Sequence, residues 1–136
     1  MPSSDSLLKR PVVPIAGIED AESTYEALVA HTDPAVCRPL VIHVVGDDET
    51  DTRGRETLGR FESLADADGM AVDTDLSHGD PIAETIIEAA DSVDASAIVF
   101  CSRGGSAWFD LLAGGVRTSL LAKSGIPVVM LPADET

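Results

Sequence analysis

Apolar positions along this chain follow two different periods, and their alternation predicts strands separated by helices. Short runs of apolar residues are typical of strands that are buried on both faces of a parallel sheet. The third predicted strand is more polar, so we expect it at the edge of the sheet, where its acidic residues discourage pairing with another chain. The predicted strands are residues 12–15, 40–45, 70–76, 97–100 and 128–131.

Between these strands, apolar side chains recur every three or four residues, which predicts amphipathic helices. The first predicted helix spans residues 19–30, and the second ends near Gly69. The third begins at Asp80-Pro81, because aspartate is a good N-cap and proline fits the first helical turn. A short fourth helix is expected over residues 116–123.

This order of elements predicts an α/β protein with a parallel sheet covered by helices on both faces. The length of 136 residues corresponds to a single domain. We expect residues 1–10 to form a flexible arm and residues 11–133 to form the folded domain. Sheets of this kind bind ligands beyond the carboxyl ends of the strands, where the strand order reverses. With a strand order of 3-2-1-4-5, that crevice is lined by residues 16–18 and 101–105.

The charge balance narrows the classes of partner. The chain has 24 acidic residues, 15 of them aspartate, against 9 basic residues, and its formal net charge is −15. Such a surface repels phosphate groups, so we expect neither nucleic acid nor an anionic membrane as a partner. At molar salt the screening length falls to about 3 Å and self-repulsion fades, so this composition is typical of a halophilic organism. An ordinary acidic protein is the alternative.

Location and redox chemistry follow from simpler features. No segment approaches the ~20 apolar residues of a membrane helix. The first residues lack the basic-then-apolar order of a signal peptide, so we expect a cytoplasmic protein. Cys37 and Cys101 form no CxxC pair and are expected to be buried thiols. His43 lies within an apolar strand and is expected to be packed or hydrogen-bonded. The sequence shows no recognisable metal cluster or catalytic triad.

One glycine-rich segment carries candidate chemistry. Gly114 and Gly115 stand directly before the last predicted helix, and Gly104 precedes them by ten positions. Glycines before a helix let its free N–H groups approach a phosphate, and Arg103 and Arg117 flank the segment as further anion ligands. The segment is neither a Walker A loop nor a GxGxxG fingerprint. The alternative reading is a tight turn with salt-bridged arginines.

The spacing of these glycines resembles the universal stress protein (UspA-like) family, whose members carry G-x2-G-x9-G-[ST] between the fourth strand and the last helix. Here the pattern reads Cys101-Ser-Arg-Gly104, nine residues, then Gly114-Gly115-Val116. The segments VVPIAGIE, PLVIHVV, GDPIAETIIEAA and SGIPVVMLP are similar to family segments in the same order. The resemblance implies a three-layer, flavodoxin-like or Rossmann-like sandwich with five parallel strands in the order 3-2-1-4-5. It also implies a homodimer, which we expect to pair through the last strand, Val128–Leu131.

The resemblance further implies which residues would line an ATP-type site. They follow the first, second and fourth predicted strands or belong to the glycine-rich segment. The candidate residues are Pro14, Ile15, Ala16, Gly17, Val45, Cys101, Ser102, Arg103, Gly104, Gly114, Gly115, Val116 and Arg117.

Three of these positions depart from the family pattern. Members that bind ATP have an aspartate near the adenosine where this chain has Ala16. Cys101 replaces the first glycine of the motif, and we expect its side chain to intrude where the backbone approaches a phosphate. Gly115 replaces the final serine or threonine, whose hydroxyl can reach a phosphate. The departures predict a degenerate site that binds ATP weakly.

We therefore expect a cytoplasmic binding or signalling module of the stress response, open to protein partners, and not an enzyme. The alternative is a working ATP switch with slow or no hydrolysis, in which Mg²⁺ accompanies the nucleotide. The few aromatic residues and the missing cysteine pair disfavour a flavodoxin-like redox protein, and Ala16 interrupts the acidic cluster of a response-regulator receiver. Trp108 and Phe109, in the middle of the glycine-rich segment, would anchor it, cover a ligand or contact a partner.

Overall fold

The computed structural model describes residues 8–45, 50–78, 82–101 and 126–131. Strands and helices alternate through most of this part of the chain. The strands are β1 (Pro11–Pro14), β2 (Leu40–Val45), β3 (Asp73–His78), β4 (Ala97–Cys101) and β5 (Val128–Leu131). The helices are α1 (Ile18–His31), α2 (Asp51–Ala67) and α3 (Ile82–Ser92). The expected Asp80-Pro81 start of α3 and the fourth helix lie outside the described residues.

The five strands form one parallel sheet in the order β3-β2-β1-β4-β5, which confirms the predicted order. β1 is the central strand and pairs with β2 on one side and β4 on the other. Connections that return to opposite sides of a central strand place the reversal of strand order beside β1. Doubly wound sheets bind ligands at this place, so the candidate site lies at the carboxyl ends of β1 and β4.

Alternate side chains of each strand enter two separate cores, as expected for a sheet with helices on both faces. One core packs Val13, Val41 and Val99 against α1 and α2, which contribute Leu28 and Phe61. The other core contains Val12, Ile42, Ile98 and Phe100, on which α3 places Ile86 and Ala90. These residues of the three central strands are fully or almost fully buried, which explains why β1, β2 and β4 are predominantly apolar, with His43 as the one polar residue of β2.

The third strand begins three residues later than the sequence pattern predicts. Met70 belongs instead to the end of α2, where its N–H donates to Ala65 O at 2.9 Å and Gly69 N donates to Asp66 O at 3.2 Å. Gly69 has a φ of +77°, so this turn is a Schellman motif in which Met70 packs back onto the helix. The apolar residue that the pattern assigned to a strand is therefore a helix-terminating contact.

The amino end of the described chain is joined to the sheet. Leu8 is buried in the core below α1 and α2. Arg10 N donates to Ser96 Oγ at 3.1 Å, and the Arg10 guanidinium bonds Asp73 on the edge strand at 2.8 Å. Regular contacts thus begin at Leu8, inside the segment expected to be an arm, while residues 1–7 lie outside the described part. No helix among the described residues is long and apolar enough to cross a membrane.

Candidate functional site

At the candidate site, the pairing of β1 with β4 ends earlier than the pairing of β1 with β2. β1 pairs with β2 as far as Pro14↔Ile42, but pairs with β4 only at Pro11↔Ala97 and Val12↔Ile98 among the described residues. Ile15 N donates to Ile42 O of β2 at 3.0 Å. Because successive N–H groups of a strand point to opposite neighbours, the group of residue 14 would face β4.

Pro14 has no N–H and cannot make that bond. The β1–β4 ladder therefore stops before the carboxyl ends of the two strands. In a doubly wound sheet, ligands bind at this edge, where the strand order reverses. Pro14 is one of the candidate residues implied by the family resemblance, and in the structure it stands where the pairing of β1 with β4 ends.

Two buried polar side chains hold the turn between β1 and α1. Ile15 O accepts a hydrogen bond from His43 Nδ1 at 2.9 Å, which requires the proton to be on that nitrogen. Ala16 N donates to Asp20 Oδ2 at 2.7 Å, and Thr24 Oγ1 donates to Asp20 Oδ1 at 3.0 Å. Asp20, Thr24 and His43 are all buried. The turn is consequently held by one hydrogen bond to β2 and one to the first turn of α1.

Among the described residues, the surface beside this turn is apolar. Gly17 is extended, with a φ of −167°, and a Cβ built on it meets no described atom within 4 Å. Ile18, the next residue, exposes 45% of its surface. Glu19 and Asp20 occupy the first turn of α1, where their negative charge offsets the positive end of the helix dipole. This end of the crevice is thus suited to an uncharged ring and poorly suited to a phosphate.

The structure brings six of the predicted site residues to the same edge of the sheet. Pro14, Ile15, Ala16 and Gly17 follow one another at the carboxyl end of β1. Val45 ends β2 and Cys101 ends β4. Ser102, Arg103, Gly104, Gly114, Gly115, Val116 and Arg117 lie outside the described residues, as do Trp108 and Phe109, so their placement at the crevice stays a prediction.

The structure confirms that Cys101 is a buried thiol, and it corrects the expectation that this side chain intrudes at the phosphate position. Its side chain shares the face of Val99 and is buried in the core beneath α1, with 2% of its surface exposed. The thiol lies 3.8 Å from Ser23 O, a carbonyl of α1. Because side chains alternate along a strand, the residue that ends β4 points into a helix-covered face. The expectation that the Cys101 side chain intrudes at the ligand site is therefore wrong, because the thiol points into the core.

Sequence reasoning did not identify Asp20 or Thr24 as residues that hold this turn. The signal for Asp20 was present, since an acidic residue in the first helical turn can reach back to the N–H groups that precede the helix. The sequence anticipated a bonded His43, but its partner, Ile15 O, is set by the turn of the chain after β1. Within the described ranges, no group of three histidine, cysteine or acidic side chains is placed to hold a metal ion.

Comparison with known proteins gives a single family. The sequence profile of the universal stress protein family matches residues 8–132. No curated protein sequence matches the chain.

Solved structures of the same family share the fold. A universal stress protein from Burkholderia pseudomallei is 23% identical with a TM-score of 0.71, and the match covers 97% of this chain and 100% of that one. A universal stress protein from Archaeoglobus fulgidus, solved with dAMP, is 23% identical with a TM-score of 0.64, covering 91% and 98%. A universal stress protein solved with cAMP is 16% identical with a TM-score of 0.58, covering 91% and 98%. At these identities the likeness shows a common architecture.

Proposed function

Because the chain belongs to the universal stress protein family, we propose that it is a homodimeric, cytoplasmic stress-response module that binds a nucleotide of the ATP type weakly between β1 and β4. The observation that carries this proposal is the β1–β4 ladder, which Pro14 interrupts where the strand order reverses. The family members solved with dAMP and cAMP support a nucleotide as the class of ligand. The module acts by binding and signalling to protein partners, not by catalysis.

Charge favours one orientation of the nucleotide. Glu19 and Asp20 place negative charge at the β1–α1 end of the crevice, which disfavours phosphate there. Arg103 and Arg117 belong to the glycine-rich segment that follows β4, and guanidinium groups bind phosphate with two parallel hydrogen bonds. The phosphates, with any Mg²⁺ that accompanies them, would be held by that segment, and the nucleoside would contact β1 and Val45 of β2.

Two lost contacts make this site weak. Ala16 has no side-chain acceptor, and Gly115 has no hydroxyl for a phosphate oxygen. Each missing hydrogen bond lowers the binding free energy by about 1 kcal/mol, or up to about 3 kcal/mol for a charged partner. Two such losses weaken binding, because they raise the dissociation constant by about tenfold to several thousandfold or more. We therefore expect ATP affinity in the upper micromolar to millimolar range.

Calorimetric titration with ATP tests this function directly. It is done in molar KCl with Mg²⁺, and the fluorescence of Trp108, the single tryptophan, gives a second readout. Arg103→Ala should weaken binding by tenfold or more. Arg38→Ala is the matched control, because it removes the same charge at the amino end of β2, on the opposite edge of the sheet.

The alternatives predict different titrations. Low-micromolar binding that Arg103→Ala abolishes would instead favour a tight ATP switch. An absence of binding at millimolar ATP would contradict the nucleotide site. Equal effects of Arg103→Ala and Arg38→Ala would show that the loss is one of overall charge and not of the site.

A further inference from the structure

The sulfur-containing side chains of the described residues differ sharply in exposure. Cys37, Cys101 and Met70 are buried, with 2%, 2% and 4% of their surfaces exposed. Met130, in the outer strand β5, exposes 43% of its surface. An oxidant in solution reaches a buried sulfur atom only after the fold opens locally. Among the described residues, Met130 is therefore the sulfur-containing side chain that a dissolved oxidant meets first.

The reactivity of the sulfur groups points to the same residue. Peroxides react with the thiolate and not with the neutral thiol, and burial raises the pKa of the Cys37 thiol to about 12. Cys101 lies in the core beneath α1, with its thiol 3.8 Å from Ser23 O. A thioether such as that of Met130 needs no deprotonation before it is oxidised, since its sulfur reacts through a lone pair.

Met130 lies on the strand through which the proposed homodimer pairs. In the described sheet β5 pairs with β4 alone, and Met130 aligns with Phe100 in that pairing. Its neighbours Val128 and Val129 are partly buried hydrocarbon side chains. A twofold axis pairs a strand with its own copy in the antiparallel direction, which brings facing side chains to about 5 Å from each other. Met130 would consequently stand in an apolar contact between the two copies.

We propose that Met130 is a site of oxidation by hydroperoxides, and that its sulfoxide prevents two copies of the chain from pairing through β5. The inference rests on the homodimer of the proposed function. In the reaction, a lone pair of the thioether sulfur attacks the terminal oxygen of the hydroperoxide, so that an S–O bond forms and the O–O bond breaks. The peroxide proton passes to the departing oxygen, which leaves as an alcohol, or as water from hydrogen peroxide. The sulfur loses two electrons, and the peroxide is reduced by them.

The oxidised side chain and the dimer exclude each other for a physical reason. A sulfoxide oxygen is a hydrogen-bond acceptor, and its burial against valine side chains, which offer no donor, costs free energy. In the separate chain that oxygen stays hydrated, so oxidation favours the monomer. Conversely, a partner that covers Met130 shields the sulfur from the oxidant. Pairing should therefore slow the oxidation of Met130, and oxidation should prevent pairing.

Peptide mass spectrometry after hydrogen peroxide treatment tests the site. Trypsin places the three methionines of the chain on separate peptides, residues 1–9, 61–103 and 124–136. In folded protein, peptide 124–136 should gain one oxygen at least about tenfold faster than the methionine of peptide 61–103, because Met70 reacts only after local opening. In urea-unfolded protein the two should react at similar rates, which is the control for intrinsic reactivity. Similar rates in the folded protein would overturn the inference.

Sedimentation velocity tests the consequence for pairing. Wild-type protein oxidised in molar KCl should change from dimer to monomer, and treatment with methionine sulfoxide reductase should restore the dimer. Met130→Leu is the matched control, because it keeps the volume and removes the sulfur, and it should stay dimeric after the same treatment. Circular dichroism verifies that each protein is folded. Equal dissociation of oxidised Met130→Leu would show that another group is responsible and would overturn the inference.

The remaining outcomes separate the inference from the proposed function. In wild-type protein, the oxidation rate of Met130 should fall as the protein concentration passes the dimer dissociation constant. A rate independent of concentration, or a dimer that survives complete oxidation of Met130, would overturn the inference while the homodimer stands. Untreated protein that is monomeric at all concentrations would overturn the homodimer and the inference together, and the ATP titration reports on the nucleotide site independently.

Discussion

At the scale of single residues, the turn at the candidate site is held by buried polar side chains that form hydrogen bonds within the chain. Asp20 in α1 bonds Ala16 N and Thr24 Oγ1, and His43 in β2 bonds Ile15 O. Burying a carboxylate or an imidazole costs free energy unless its hydrogen bonds are satisfied, and here the bonds connect three elements. The turn that follows β1 is thus joined by buried hydrogen bonds to both α1 and β2.

Asp20→Ala should lower the free energy of unfolding by about 1–3 kcal/mol, because Ala16 N and Thr24 Oγ1 lose a buried charged acceptor. Glu19→Ala is the control, since Glu19 has the same charge in the same helical turn but is exposed. Its change should stay below about 1 kcal/mol, the usual value of a helix-dipole interaction. Urea denaturation in molar KCl measures both, and equal losses would show that Asp20 acts only through the helix dipole.

Because of Cys37, the free energy of unfolding should decrease at alkaline pH. Burial raises the pKa of its thiol from 9.0 to about 12. Between these values the unfolded thiol ionises and the folded thiol stays neutral. The stabilisation is therefore fully present below pH 9 and is lost as the pH rises towards 12.

In urea denaturation from pH 8 to 11, Cys37→Ala should lose stability with pH less steeply than the wild type, by up to about 1.4 kcal/mol per pH unit. A residual slope is expected from Tyr25, whose pKa is raised by burial and by its hydrogen bond to Asp68. Identical slopes in the two proteins would contradict the role of Cys37.

At the scale of elements, the sequence predicted the sheet well because both faces of its central strands are covered. A short run such as Leu40–Val45, apolar except for His43, has few alternative structures, and the same holds for β4. The pattern placed β3 wrongly because Met70 packs onto the end of α2, a tertiary contact that resembles a strand residue in sequence. The first residues of α2, Asp51 and Thr52, are polar and carry no periodic signal, so the pattern does not fix where this helix begins.

The candidate site was predictable to a smaller extent. The position of residues 16–18 at the carboxyl edge followed from the predicted strand order, whereas Pro14 and Ile15 were assigned through the family resemblance. The direction of the Cys101 side chain did not, because it depends on which residue of β4 pairs with which residue of β1. The contacts of Asp20 and His43 depend on side-chain rotamers and on the path of the turn, which one sequence does not specify.

The packing of α2 on the sheet gives a prediction with an internal control. Gly54 lies against β2 and β3, and a Cβ there would stand 2.5 Å from Leu76 Cδ1 and 2.9 Å from His43 Cδ2. Gly54→Ala should therefore destabilise the protein by about 1–3 kcal/mol through overpacking. In the same helix, a Cβ on Gly59 meets nothing within 4 Å, so Gly59→Ala should stabilise by up to about 1 kcal/mol. Thermal denaturation should shift in opposite directions, and equal shifts would contradict this packing.

At the scale of the whole molecule, a net charge of −15 is the dominant electrostatic property. One cluster at the amino ends of the strands, formed by Arg10, Arg38 and Asp73, is attractive and not repulsive. The hydrogen bond from Arg10, together with Arg38, lowers the pKa of Asp73. This exposed cluster is weakly stabilising and is screened by salt. Repulsion among the many remaining carboxylates therefore decides how the fold responds to salt.

The melting temperature should rise as KCl is increased from about 0.1 to 2 M, because screening over a few ångströms removes self-repulsion from the compact state. The effect should be absent for a neutral protein of the same size measured in parallel. A melting temperature that falls or stays constant would show that local ion pairs, such as Arg10 with Asp73, outweigh the net charge.

The proposed dimer can be tested on the outer strand of the sheet. Met130 of β5 exposes 43% of its surface, and its neighbours Val128 and Val129 are only partly buried. Met130→Lys places a charge in the proposed interface and should convert the dimer to a monomer in sedimentation velocity. Val36→Lys, at a similarly exposed apolar side chain elsewhere, should leave the dimer intact. A wild-type monomer, or a dimer that survives Met130→Lys, would contradict pairing through β5.

The central claim is that a nucleotide binds where Pro14 separates β1 from β4, and amide chemical shifts test it most directly. Nitrogen-15-labelled protein is titrated with ATP in molar KCl, and each backbone amide reports its own surroundings. We predict saturable shifts at Ala16, Gly17 and Ile18, with none at Lys9 and Arg38 on the opposite edge of the sheet. Shifts confined to the opposite edge, or no saturable shift at millimolar ATP, would contradict the account.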